Sequence, residues 1–101
     1  MGDRARAAVP AFYTRRVMEG EGPCVVLIHG VGLDHQMWAA QANALRDGFK
    51  VLRYDLIGHG KTPPRPGALD LDDLAAQLAA LLDEEDIDDA HVIGFSLGAL
   101  V

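Results

Sequence analysis

His91-Val92-Ile93-Gly94-Phe95-Ser96-Leu97-Gly98-Ala99-Leu100-Val101 is the stretch on which the fold turns. It runs from a short β-branched segment into Gly-x-Ser-x-Gly and then into small and aliphatic residues. That succession reads as a buried strand over His91–Phe95, a tight turn at Ser96, and the first turn of a helix from Leu97. Working back along the chain, two more runs have strand character. Cys24-Val25-Val26-Leu27-Ile28 is continuously apolar, as in a strand buried on both faces of a parallel sheet, and Lys50 to Asp55 is the next. Helical patterns separate the strands. Met37 to Arg46 is Ala-rich and stops at Asp47-Gly48. Asp70 to Glu85 repeats Leu71, Leu74, Ala75, Leu78, Leu81 and Leu82 at three- and four-residue steps, with Asp70 as N-cap and Asp72 and Asp73 at the positive end of the dipole. The acidic run Asp83-Glu84-Glu85-Asp86 sits at the wrong end of that dipole and favours a stop. Ala11 to Met18 reads as an exposed strand, closed by the turn Glu19-Gly20-Glu21-Gly22-Pro23. Between Leu56 and Leu69 the prolines forbid regular structure. The alternation predicts an α/β fold: a mostly parallel sheet, right-handed crossovers, and helices on both faces.

Composition agrees with a globular chain. Of 101 residues, 50% are hydrophobic and 24% charged, and the mean hydropathy is +0.08. That excludes disorder, coiled coil and collagen, and no apolar run approaches the roughly 18 residues of a membrane span. The net charge is −6, unevenly spread: all nine basic residues lie at or before Arg65, and nine of the fifteen acids follow it. An acidic solvated helix and loop accounts for the second half, with a docking face as the alternative. Nucleic acid is excluded as a partner, because it demands clustered Lys and Arg. Cys24 is the only cysteine and reads as a small buried hydrophobe rather than a reactive thiol. With no apolar leader stretch after Met1 and no disulfide, a reducing cytoplasm is the expected location.

The chemistry begins at Ser96. A Ser in a strand-to-helix turn, with Gly94 and Gly98 sparing the backbone a Cβ clash, is the arrangement of a nucleophile elbow. Acyl transfer at such a Ser creates a tetrahedral oxyanion, which needs preorganised N–H donors. The Leu97 N–H follows the nucleophile, and the loop His29-Gly30-Val31-Gly32 after the first buried strand offers the Val31 N–H. His29 is expected to order that loop rather than to act as a base. Asp55, in Asp55-Leu56-Ile57-Gly58-His59-Gly60, is expected to fix the second loop, with His59 near the mouth of the site. No ligand cluster has zinc-like spacing, so no metal is expected.

Taken together, the Gly94–Gly98 elbow, His29-Gly30-Val31-Gly32-Leu33-Asp34-His35-Gln36-Met37-Trp38, and Tyr54-Asp55-Leu56-Ile57-Gly58-His59-Gly60-Lys61-Thr62 resemble the α/β-hydrolase family. The resemblance runs from about Ala11 to Val101, and the nearest subfamily is that of 3-oxoadipate enol-lactonase-type hydrolases. It implies an esterase or lactonase that needs no cofactor and takes a small-molecule ester or lactone. General carboxylesterase, carbon–carbon bond hydrolase and perhydrolase chemistry stay open on the same scaffold, as does a non-catalytic binding module. Ser at position 96 argues against dehalogenase and epoxide hydrolase chemistry, which use a carboxylate there.

In this family the triad order is Ser, then acid, then His. Here His29, His35, His59 and His91 all precede Ser96, and five residues follow it. Residues 1–101 therefore read as the N-terminal portion of one α/β-hydrolase domain, ending just after the elbow. Such a portion would leave a sheet edge and apolar faces open. Alone, it is expected to be inactive, and either poorly stable or self-associating. A monomeric, sharply two-state unfolding transition of the isolated chain would contradict that expectation.

Overall fold

The computed structural model describes residues 14–65 and 67–101. Among them four strands form one mixed sheet: β1 (Arg16–Glu19), β2 (Cys24–Ile28), β3 (Lys50–Tyr54) and β4 (His91–Gly94). Their spatial order is β1-β3-β2-β4. β1 runs antiparallel to β3, whereas β3 and β4 both run parallel to β2. Among the described residues three helices follow the strands: α1 (Ala39–Leu45), α2 (Leu71–Glu84) and α3 (Leu97–Leu100), with a 3-10 turn over His35–Trp38 ahead of α1.

β2 lies between its two parallel neighbours and is buried along its whole length. Its alternating side chains feed two cores. Cys24, Val26 and Ile28 join Leu52, Tyr54, Leu74 and Leu81 beneath α2, with Leu97 of α3 on the same side. Val25, Leu27 and Val51 meet Ala42 of α1, with Trp38, Leu45 and Phe49 around them. Helices thus cover both faces, as the alternation of elements predicts. The chain leaves β2 toward α1 on one face, and leaves the adjacent β4 toward α3 on the other. The carboxyl ends of β2 and β4 therefore flank a topological switch point, where open α/β sheets form their crevice.

Several elements differ in detail from expectation. The helix expected over Met37–Arg46 starts earlier, as a 3-10 turn, because the Asp34 side chain accepts from the Gln36 N–H. β4 is not buried: Val92 and Ile93 are about half exposed, because β2 alone pairs with it among the described residues. β1 is half-buried rather than exposed, since Met18 packs against the core, and the part of that expected strand over residues 11–13 lies outside the described residues. Cys24 is buried, and burial pushes its thiol pKa up.

α2 starts at Asp70 with a reciprocal capping box: Asp70 accepts from the Asp73 N–H, and Asp73 from the Asp70 N–H. Its buried line is Asp73, Leu74, Gln77 and Leu81; Leu71 and Ala75 point outward instead of joining the stripe. At its far end Asp86 adopts φ 61°, and the N–H groups of Asp86 and Ile87 donate to Asp83 O and Leu82 O. This pair of bonds closes the helix as a Schellman motif, and Ile87 packs on the core behind it. The acidic run ends the helix through one left-handed residue, while Arg16 binds Glu84 and Glu85 at 2.6 Å each. An L-residue is strained at a positive φ where Gly is not. Asp86→Gly is therefore expected to stabilise the protein by about 0.5–1 kcal/mol, read as a raised midpoint in thermal unfolding. A lowered midpoint would contradict this account of the stop.

Candidate active site

Ser96 lies one residue beyond β4, after Phe95, and caps α3 with φ 57° and ψ −114°. A residue with a Cβ occupies that region only under strain, at a cost of roughly 1–3 kcal/mol. The surroundings leave no relaxed path. A Cβ on Gly94 would collide with the Gly98 carbonyl, and one on Gly98 would collide with Ile28 O and come within 2.7 Å of His29 O. Both glycines have negative φ, so close approach is what requires them here. The Phe95 N–H donates to Ile28 O at 3.1 Å, continuing the β2–β4 pairing to the residue before Ser96. Ser96 itself is exposed, and so is Phe95.

The loop after β2 comes up beside this turn. Gly30 is buried, and a Cβ built on it would stand 3.2 Å from Phe95 O and 3.3 Å from the Ser96 Cβ. The next peptide is held in a fixed direction. Gly30 O receives the His29 Nδ1–H at 2.7 Å and the Leu33 N–H at 3.2 Å. In a planar trans peptide the N–H opposes the carbonyl, so the Val31 N–H points away from the His29 ring. Val31 is 68% exposed. Among the described residues, neither the Val31 N–H nor the Leu97 N–H has a protein acceptor.

His29 is fully buried and committed at both nitrogens. Its Nε2 accepts from the Leu56 N–H at 2.9 Å, which leaves the ring proton on Nδ1 for Gly30 O. Neither nitrogen is available to take a proton from Ser96. Burial lowers the His29 pKa, with the Gly30 hydrogen bond opposing. The His59 ring lies 5.0 Å from it, centroid to centroid, and bonds Ile57 O through Nδ1 at 3.1 Å. His91 stands at the other end of β4, exposed.

Asp55, 1% exposed, is the knot of the second loop. Its Oδ1 accepts from the backbone N–H of His35 at 2.8 Å and from His35 Nδ1 at 2.7 Å; its Oδ2 accepts from the Lys61 N–H at 3.0 Å. Burial pushes the carboxyl up, and these hydrogen bonds overcome it, holding the Asp55 pKa below its ordinary value. Gly60 sits at φ 52° against this carboxylate, where any Cβ would overlap Oδ2. Asp55 thus pairs with His35 and not with His59. The ligand-capable atoms of Asp34, His35 and Asp55 lie within 4.8 Å of one another, each carboxylate already accepting backbone N–H groups.

Sequence reasoning passed over two residues, His35 and Gln77. Gln77 has a signal after the fact: it is the polar residue three after Leu74 and four before Leu81, in the buried line of α2. Nothing in the spacing marks His35, because its partner lies twenty residues away.

The buried, neutral His29 has a measurable consequence. Its folded pKa lies below the unfolded value of 6.5, so its contribution to stability is complete above pH 6.5 and is lost as pH falls through the folded value. Urea midpoints are expected to drop between pH 7.5 and pH 5, and His29→Asn, which keeps a donor for Gly30 O, is expected to flatten that drop. An unchanged slope in the variant would contradict the assignment.

Comparison with known proteins places this geometry in a family. The family model described as the alpha/beta hydrolase family matches residues 25–101. The chain is 38% identical over 93 residues to the dihydrolipoyllysine-residue acetyltransferase component of the acetoin cleaving system of Cupriavidus necator, covering 91% of this chain and 25% of that protein. It is 35% identical over 78 residues to 3-oxoadipate enol-lactonase 1 of Acinetobacter baylyi, covering 77% of this chain and 29% of that one. The solved enol-lactonase from Burkholderia xenovorans LB400 superposes with a TM-score of 0.84 at 35% identity, over 86% of this chain and 35% of its own. The chain thus spans well under half the length of these relatives. With the elbow, the loop after β2 and the sheet order all described, the chain belongs to the alpha/beta hydrolase family.

Proposed function

We propose that this chain carries the nucleophile and the oxyanion-binding loops of a serine hydrolase acting on a carboxylic ester or lactone. The observation that carries the reading is the strained Ser96, exposed at the switch point and walled by Gly94, Gly98 and Gly30. A plain Gly-Ser turn has no use for a left-handed Ser, and selection tolerates such strain where it aims a reactive atom. The names of two relatives, the enol-lactonases of Acinetobacter baylyi and Burkholderia xenovorans, favour a lactone among the substrates.

In this reading Ser96 Oγ bonds to the substrate carbonyl carbon while its proton passes to a general base. The carbonyl oxygen takes up the negative charge, and the Val31 and Leu97 N–H groups stabilise it. The tetrahedral centre then collapses, and the acyl C–O bond breaks. The leaving oxygen takes the proton from the base, remaining tethered if the substrate was a lactone. Water adds to the acyl-enzyme, the acid is released, and the proton returns to Ser96. His29 cannot serve as the base, since both its nitrogens are engaged, and His35 is bound to Asp55. The reading takes the base and its orienting acid from sequence beyond these 101 residues.

The natural full-length protein tests it with two substitutions. Ser96→Ala is expected to lower kcat on an activated ester by at least about 10⁴-fold. Ser96→Gly is expected to be equally inactive and yet more stable by about 1 kcal/mol, because Gly accepts the backbone without strain. Near-normal turnover in Ser96→Ala would overturn the mechanism.

A further inference from the structure

Gln77 is fully buried between Leu74 and Leu81 on the inner line of α2. Its amide is fully used. Oε1 accepts from the Ile57 N–H at 3.2 Å, and Nε2 donates to Asp55 O and to Thr14 Oγ1, both at 3.1 Å. The two loop groups that it holds, Asp55 O and the Ile57 N–H, call for one acceptor and one donor on a single side chain. An amide supplies both, whereas a carboxylate would set oxygen against oxygen at Asp55.

Those two groups flank Leu56. The Leu56 N–H is the donor that fixes His29 Nε2, and through it the proton on Nδ1 that holds Gly30 O. Gly30 in turn abuts Ser96. An unbroken run of short contacts therefore leads from α2, through the loop after β3, to the Gly30–Val31 peptide beside the Ser. Gln77 touches neither Ser96 nor any group assigned to the oxyanion. It holds the carbonyl of the same peptide whose N–H, that of Leu56, donates to His29 Nε2.

We propose that Gln77 is a positioning residue for the Val31 N–H, acting through Leu56, His29 and the Gly30 carbonyl. The proposal rests on the serine hydrolase reading above. It implies that a change in the interior of α2, remote in sequence from both loops, selectively weakens binding of the tetrahedral state.

Gln77→Met in the natural full-length protein tests this, since Met keeps the volume and removes both hydrogen-bonding functions. Two inhibitors are measured with the kinetics. One is a boronic acid, whose Ser adduct sets an oxygen in the oxyanion position; the other is the product carboxylate, a ground-state mimic. The expected result is a kcat lower by about tenfold and a boronate affinity lower by a similar factor, with KM and carboxylate affinity within about twofold. Equal losses for both inhibitors, or no loss for either, would overturn the proposal, since a residue that merely supports the fold does not separate them. If Gln77→Met does not yield folded protein, Gln77→Glu decides. Its carboxyl group repels Asp55 O when ionised and donates its O–H to it when protonated. Its kcat relative to the wild type is expected to rise as pH falls, and a flat ratio would overturn the proposal. Ser96→Ala separates the two levels: full activity there sinks the hydrolase reading itself, whereas an inactive Ser96→Ala beside an unperturbed Gln77→Met sinks Gln77 alone.

Discussion

The contact between two backbones sets the terms for the rest of this molecule. The turn at Ser96 rests on the carbonyls of Ile28 and His29 at the end of β2, with Gly98 as the point of closest approach. The Phe95 N–H completes the join by bonding Ile28 O. β2 must therefore be central, and all five of its residues are buried. β4 must lie beside it and not beside β3. Right-handed crossovers then require α1 and α2 to occupy opposite faces. The crevice at the ends of β2 and β4 follows from that order of strands, independently of which substrate it serves.

A second layer of polar contacts turns this geometry into a defined site. Loops normally lie on the surface because their backbone groups need water. Here Leu56 and Ile57 are buried, and their N–H groups are met by His29 and Gln77. Asp55 anchors the 3-10 turn after the first loop through His35, and the second loop through Lys61. Each of these side chains satisfies main-chain groups that would otherwise be stranded, a need worth roughly 1–3 kcal/mol apiece. Two irregular segments thereby hold their shape as though they were regular structure.

Much of this was legible from the residues alone. A continuous apolar run disclosed β2, the segment from Lys50 to Asp55 disclosed β3, helical periodicity disclosed α2 down to its Asp70 cap, and the Gly-x-Ser-x-Gly context placed the turn at Ser96. What remained hidden depends on contacts across long stretches of chain. The residues of β4 read as buried, whereas its place at the sheet edge, expected of the elbow strand in such a portion, is what exposes them. Gln77 interrupts an otherwise apolar stripe, yet its partners, Thr14, Asp55 and Ile57, come together only once the sheet has formed. The stop of α2 looked electrostatic from its four acids, and it turned out to be conformational, set by Asp86 in the left-handed region.

The central claim is that the strained Ser96 is an activated nucleophile. The most direct measurement is the site of labelling after the natural full-length protein reacts with a fluorophosphonate. The account predicts one adduct, mapped to the peptide that holds Ser96 and absent from the denatured protein. A protein that stays unlabelled, or a label on another residue, would contradict it.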